Sequence, residues 1–338
     1  MRHAKRHRRK SVARSICIMC MVCLVLVGVY SIGRHIESST HKPQERGDLN
    51  MIKEDTPTVE YNGVQYRLRR GMTNILVLGV DHPEGTVVTG YRNGGQADFL
   101  MLMIIDDLNK RIIPLQIDRD TMAEITVLGV LGNVSGTQNA QICLSHGFGD
   151  GGEQSSQFTA DAVSKLLLGT KIDFFVSMYL DGISVLNDAV GGITVTLEDD
   201  FSSLDPTMTP GTTLTLMGDQ AEYYVRNRMN IGIGTNEARQ ERQRIYMEAL
   251  AEKIDAKMQT GTETINTIYD TIEPYLETNM KRGRIINEMW NSRDYQRMDL
   301  IRLEGEYTVG SDGFMEFHAD PAALERMVID LFYEPVES

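Results

Sequence analysis

Five arginines stand out on an acidic chain: Arg119, then Arg226 and Arg228, then Arg239 and Arg242. The chain has 34 Lys and Arg against 47 Asp and Glu, a formal charge of -13, so cations gathered within it need an anion to explain them. Arginine suits phosphate, because its planar fork donates paired hydrogen bonds and stays charged at any working pH. Arg226 and Arg228 stand two apart in YYVRNR. Glycines at 232 and 234 favour an extended segment, in which both side chains share a face. Two guanidinium groups side by side with no acid between them call for an anion; the alternative is a solvated loop. Arg239, Arg242 and Gln243 fall at i, i+3 and i+4, on one helical face. They lie in the first two turns, where the helix dipole and free N–H groups favour anions; the alternative is a charged solvent face shared with Glu237 and Glu241. Arg119 follows an apolar run in IDRDT, at the strand end where α/β sheets open their ligand crevice, although an ion pair with Asp118 or Asp120 explains it equally well. Together the clusters predict a built site for a di- or polyphosphate.

Asp81 and Asp98 flank the glycine-rich segment DHPEGTVVTGYRNGGQAD. If the strands on either side neighbour each other, both carboxylates reach one sheet edge. Hard oxygen ligands there suit Mg²⁺, which uses one or two carboxylates with phosphate oxygens and water. Taken alone, the reading of both as turn residues is the stronger. His146, in SHGFGDGG, is a lone histidine and reads as structural. The chain has no Walker loop, no nucleophile elbow and no zinc-ligand spacing.

The elements that must position these groups alternate in kind. Asn74–Val80, Phe99–Asp106, Ile112–Ile117 and Ile172–Tyr179 read as strands, and their near-continuous apolar runs indicate a sheet covered on both faces. Helices are expected over Gln154–Leu168, Gly182–Val190, Gly218–Tyr224 and from Asn236 to about Lys257, then at roughly 262–277 and 281–290. Ile193–Leu197, Thr213–Leu216 and Arg297–Leu303 read as further strands. Asp320-Pro321 starts a terminal helix, with the acid as cap and proline in the first turn. The alternation gives an α/β fold: a three-layer α/β/α domain around a central mixed sheet.

Residues 1–14 hold seven Lys or Arg and no acid, leaving 27 basic against 47 acidic residues in the remainder. That body is unsuited to non-specific nucleic-acid binding, in which phosphate contacts dominate. Ser15–Gly33 is an uncharged stretch of 19 residues, close to the roughly 20 a spanning helix needs. The basic head predicts a cytoplasmic N-terminus and an extracytoplasmic body, hence a single-pass protein of the cell membrane. The rival, a cleaved signal peptide, lacks a clear cleavage site and has an overlong apolar run. Cys17, Cys20 and Cys23 lie in this stretch, and Cys143 alone remains in the body, so no internal disulfide is expected there. Residues 34–58 read as a polar linker and 59–338 as the folded domain.

The runs NILVLGVD, QADFLMLMIID, IPLQIDRDTM, IDFFVSMYLDGISVLNDAVGGITVTL, LMGDQAEYYVRNR and ARQERQ, in this order, resemble the LytR-CpsA-Psr family of cell-envelope glycopolymer transferases over about residues 74–250. The resemblance implies an α/β/α domain with an apolar pocket for a polyprenyl chain. It implies a phosphotransferase that moves a phosphoglycan from a polyprenyl-diphosphate carrier to peptidoglycan with the help of Mg²⁺. Carried onto this chain, it makes Asp81 and Asp98 the metal carboxylates and gives the diphosphate to Arg119, Arg226, Arg228, Arg239, Arg242 and Gln243. Asp98, Arg119, Arg226 and Arg228 become the catalytic set. The chain departs from the family pattern at Gln96-Ala97-Asp98, where Arg-Ser-Asp is usual, at Asn236, where Asp is usual, and at Gln141, where Lys often stands. Those departures keep a second reading open, a non-catalytic envelope protein that holds or senses lipid-linked glycan. A third is an anchored structural domain whose arginines are surface pairs.

Overall fold

A computed structural model describes residues 58–81, 94–129, 131–227, 231, 236–258, 262–292 and 295–336. A hairpin of β1 (Thr58–Tyr61) and β2 (Val64–Leu68) leads into an antiparallel meander of β3 (Met72–Asp81), β4 (Gln96–Asp106) and β5 (Arg111–Ile117). A second hairpin, β6 (Met122–Leu128) and β7 (Val134–Gln141), precedes α1 (Leu144–Gly147), α2 (Glu153–Leu166), β8 (Phe174–Tyr179) and α3 (Gly182–Ala189). After the hairpin β9 (Ile193–Thr196) and β10 (Thr213–Leu216) come α4 (Asp219–Arg226), α5 (Asn236–Met258) and α6 (Thr262–Ile272). The chain ends through β11 (Leu276–Thr278), α7 (Arg282–Ser292), the short β12 (Gln296–Arg297) and β13 (Ile301–Arg302), the hairpin β14 (Gly305–Val309) and β15 (Met315–Ala319), α8 (Pro321–Phe332) and β16 (Tyr333–Pro335).

The central mixed sheet runs β11-β8-β3-β4-β5-β12, with β13 also on β5. Its strands are apolar on both faces because each face has its own core. Ile75, Val77, Met101 and Met103 pack with residues of α3, α4, α5 and α6. Leu76, Leu78, Leu100 and Leu102 pack against α2 and α8. The strand expected over Arg297–Leu303 is two short pieces instead, pairing β5 at Arg111–Ile112 and at Leu115–Gln116. The break lies opposite Pro114, which has no N–H to give a ladder. Asp320 caps the last helix by accepting from the Ala323 N–H at 2.7 Å, as expected from its sequence.

β8 runs parallel to β3, β12 and β13 run parallel to β5, and β4 runs antiparallel to both β3 and β5. The carboxyl ends of β3, β5 and β8 and the amino end of β4 therefore share one edge of the sheet. The expected spanning stretch and the linker fall in residues 1–57, outside the described residues. Among the described residues no helix is long and apolar enough to cross a membrane.

Candidate functional site

Asp81 is the last residue of β3, and Gln96 opens β4 opposite it. The pairing of β3 with β4 steps from Gly79–Phe99 to Val80–Ala97, which leaves Asp98 as an extra residue, a β-bulge. The bulge reverses the alternation of β4. Ala97 joins Leu100 and Leu102 on one face, while Phe99 packs with Met101 and Met103 on the other. Asp98 and Phe99, neighbours in sequence, both line the same two cavities. Gly95, at φ +71°, allows the tight entry to β4: a Cβ there would lie 2.1 Å from the Asp81 carbonyl oxygen.

Arg119 reaches in from the end of β5. One terminal nitrogen pairs with Asp98 Oδ1, the other donates to Gln96 Oε1 at 2.6 Å, and Nε lies 3.4 Å from Asp120 Oδ1. Gln96, one of the family departures, thus holds the arginine that the site depends on. Arg239, in the first turns of α5, points at the same carboxylate, its Nη1 4.0 Å from Asp98 Oδ2. Arg226 bonds Asp81 Oδ1 at 2.8 Å and Glu222 Oε1 at 2.7 Å. The extended segment expected for Arg226 is not found there. Arg226 ends α4 as a helical residue, supported by its i,i+4 pair with Glu222, and the chain turns extended only at Asn227. Arg228 lies outside the described residues.

Arg242 is placed differently from its expected group. It is 5% exposed, and its guanidinium donates to the carbonyls of Tyr224 (3.0 Å) and Asn227 and pairs with Asp199 at 2.6 Å. It also lies over the Phe201 ring at 5.4 Å. Three residues along a helix turn a side chain by about 60°, enough to take Arg242 from the cavity to the end of α4. There it satisfies carbonyls left open by the helix terminus. Gln243 remains at the site, donating to the Val225 carbonyl at 3.1 Å while lining both cavities.

Asp98, like Asp120 beside Arg119, is a carboxylate shifted by burial. Burial raises its pKa above the ordinary value, Arg119 and Arg239 offset part of the rise, and the Asp81 charge adds to it. Burial likewise pushes the Cys143 thiol up to about 11, so it stays protonated beside Arg119. Among the described residues no three or more His, Cys, Asp or Glu side chains gather to hold a metal. Asp81 and Asp98 form a pair, a donor set that fits a cation completing its shell with phosphate oxygens and water. His146 is buried, its Nδ1 2.5 Å from the Gly94 carbonyl oxygen, and braces the entry to β4.

Two cavities meet here. One, about 90 Å³, is apolar and runs between the sheet and α3, α4 and α5, past Val77, Met178, Ile183, Leu186, Tyr246 and Met247. The other, about 250 Å³, lies over the end of β5 and is lined by Gln116, Asp118, Arg119, Arg302, Tyr307 and Phe317. They share Asp98, Phe99, Arg239 and Gln243. The last three residues of the second cavity's wall come from the C-terminal segment, to which the sequence reading gave no role. Their only signal there is an Arg, a Tyr and a Phe spaced among polar residues.

The fold and site define an α/β protein that gathers arginines at the carboxyl edge of its sheet, where an apolar cavity meets one of mixed lining. The chain belongs to the LytR_cpsA_psr family, whose family model matches residues 33–331. A protein of Halalkalibacterium halodurans named polyisoprenyl-teichoic acid–peptidoglycan teichoic acid transferase TagU is 26% identical over 300 residues, 86% of this chain and 87% of that protein. The Bacillus subtilis protein of the same name is 23% identical over 336 residues, covering 98% of each. The fold matches crystal structures of protein gbs0355 from Streptococcus agalactiae (TM-score 0.60, 23% identity, 77% of this chain and 87% of that one) and of B. subtilis TagV (TM-score 0.55, 22% identity, 78% and 97%).

Proposed function

We propose that the protein is a membrane-anchored phosphotransferase that moves a phosphoglycan from a polyprenyl-diphosphate carrier onto peptidoglycan, with its N-terminus cytoplasmic and its folded domain outside. One observation carries the reading: Arg239 lines both an apolar cavity and a larger one of mixed lining, with Arg226 in the wall of the first and Arg119 in the wall of the second, the three coming from separate stretches. A diphosphate where the two cavities join meets guanidinium forks, and its prenyl chain meets the apolar lining. The names of the relatives, teichoic acid transferases acting on peptidoglycan, point to the same reaction class.

In the reaction, an acceptor hydroxyl, the 6-OH of a muramic acid, attacks the glycan-side phosphorus. The new P–O bond forms as the bond to the bridging oxygen breaks, and polyprenyl phosphate leaves with the electron pair. Asp98, positioned between Arg119 and Arg239, takes the hydroxyl proton. Arg119, Arg226 and Arg239 stabilise charge on the phosphoryl oxygens, which is most of what phosphoryl transfer asks of a protein. In the free site these arginines face Asp98, Asp81 and Glu222. An entering diphosphate must displace those acids, leaving excess negative charge to be compensated. Asp81 and Asp98 would hold Mg²⁺, which when bound would neutralise that excess.

The test uses the full chain in detergent with a polyprenyl-diphosphate disaccharide, a muramic-acid oligosaccharide and Mg²⁺. Release of polyprenyl phosphate with glycan joined to the acceptor is expected. Donor bound without release identifies a glycan-binding envelope protein instead, and release without acceptor a pyrophosphatase. The double variant Arg226→Ala, Arg228→Ala should lose transfer by about two orders of magnitude or more, since each charge-assisted bond is worth roughly 1.5–3 kcal/mol. Wild-type turnover in that variant refutes the assignment.

A further inference from the structure

The larger cavity has a wall that the donor's phosphates and lipid do not use. Its far side is built by Arg302 of β13, Tyr307 of β14 and Phe317 of β15. Phosphoryl transfer brings attacking and leaving oxygens roughly into line. With the leaving lipid phosphate directed into the apolar cavity, the nucleophile must approach from the opposite side, through the larger cavity.

The chemistry of that wall is specific. Tyr307 and Phe317 pack with ring centres 4.9 Å apart and planes tilted 58°. Tyr307 is half exposed and presents its ring to the cavity, while its hydroxyl donates to Asp118 Oδ2 at 2.6 Å. An aromatic face beside planar polar side chains suits a sugar ring, whose C–H face stacks while its hydroxyls bond the amide of Gln116 and the carboxylate of Asp118. Arg302 donates through Nε to Gln116 Oε1 at 3.0 Å, and among the described residues it has no carboxylate partner. Its terminal nitrogens can therefore take a carboxylate from outside the chain. The wall is fixed to the catalytic segment: the Phe317 N–H donates to the Asp120 carbonyl at 2.8 Å, one residue past Arg119, and Gln141 Nε2 donates to the Met315 carbonyl at 2.6 Å.

We propose that Arg302, Tyr307 and Phe317 form the acceptor subsite, which seats a sugar bearing a carboxylate, with Arg302 selecting for the acid. This assignment rests on the transferase reading for its direction of attack, but not for the binding itself. On the cell wall, the sugar it fits is a muramic acid freed of its stem peptide, whose lactyl group is then a carboxylate.

The experiment compares the full chain with Arg302→Gln and Arg302→Lys, using a muramic-acid tetrasaccharide with free lactyl carboxylates and the neutral chitotetraose. Arg302→Gln should raise the KM for the muramic acceptor about tenfold or more, as expected for one lost charge-assisted bond. It should also abolish the preference over chitotetraose. Arg302→Lys should restore part of that preference, and the donor Kd should move less than twofold. An unchanged acceptor KM, or an effect on the donor instead, overturns the proposal. Saturation-transfer NMR of the muramic tetrasaccharide reads binding without turnover. Signals that vanish in Arg302→Gln keep the subsite even where no transfer occurs, in which case the transferase reading fails and the subsite stands. Signals equal in both proteins, or absent from the wild type, overturn it.

Discussion

Replacing Asp98 by Asn keeps the shape of the side chain and removes its charge, and the consequences for binding, turnover and stability separate cleanly. In the free protein Asp98 pairs with Arg119 and faces Arg239 at 4.0 Å. A diphosphate must break the first of these contacts, a charge-assisted bond worth roughly 1.5–3 kcal/mol. In Asp98→Asn that competition is gone, so the donor should bind as tightly as in wild type or up to about tenfold tighter without Mg²⁺. Turnover should move the other way, falling by about 10²–10⁴ for the loss of a positioned proton acceptor. The pH profile gives the third readout. Burial holds the pKa of Asp98 above its ordinary value of 3.8 in the metal-free protein, so donor binding without Mg²⁺ should tighten as pH drops through that raised value and Asp98 releases Arg119, and Asp98→Asn should lose this dependence. Stability follows the same sign. A carboxyl with a raised folded pKa contributes its stability below the unfolded value and loses it as pH rises through the folded one. At neutral pH the charged form of Asp98 therefore weakens the fold, and Asp98→Asn should melt no lower than wild type. The measurements are donor binding by calorimetry without Mg²⁺ from pH 4 to 8, polyprenyl phosphate release at pH 7, and thermal melting at pH 7. A variant with wild-type turnover and the wild-type pH dependence of binding refutes the role given to Asp98.

Two further perturbations separate scaffold from site. Arg242→Ala leaves the half-buried Asp199 and two backbone carbonyls unmatched, and should cost about 1–3 kcal/mol in denaturant unfolding; a loss well under 1 kcal/mol contradicts its role as the tie between α4 and α5. Met247→Trp narrows the apolar cavity, so transfer from long prenyl donors should fall several-fold while short-chain donors are spared; equal loss for both chain lengths argues against a lipid seat.

The sheet and its order of elements were legible because β3, β4 and β5 are buried on both faces, which writes each strand as an unbroken apolar run. The meeting of Asp81 with Asp98 followed from strands that neighbour each other across one segment. The bulge did not follow. A run apolar on both faces carries no alternation to interrupt, so a single extra residue at Asp98 leaves no trace in the sequence. Arg239 and Arg242 share a helical stripe in a wheel diagram, and only the position of α4 decides that one faces the cavity and the other the helix end. For Arg226, the downstream glycines suggested extension, whereas the local pair with Glu222 carries the helix through it. The wall of Arg302, Tyr307 and Phe317 was hidden for another reason. Its strands are short, β14 is exposed along its whole length, and what holds it is contact with Asp118 and Asp120, nearly two hundred residues earlier in the chain.

β1, β2 and β16 form a small sheet at the foot of β3, opposite the arginines. β3 has ten residues, so about 33 Å separates its two ends, and Thr58 enters the fold near the lower one. In the proposed anchored arrangement, an upright domain would carry its reactive edge well above the lipid surface that supplies the donor. If residues 34–57 join membrane to domain, their number sets a reach of at most about 80 Å, more than twice the length of β3, which would allow the edge to be brought down. Under the proposed function that number would be a catalytic parameter: deleting part of residues 34–57 should starve transfer from bilayer-borne donor while sparing donors short enough to dissolve.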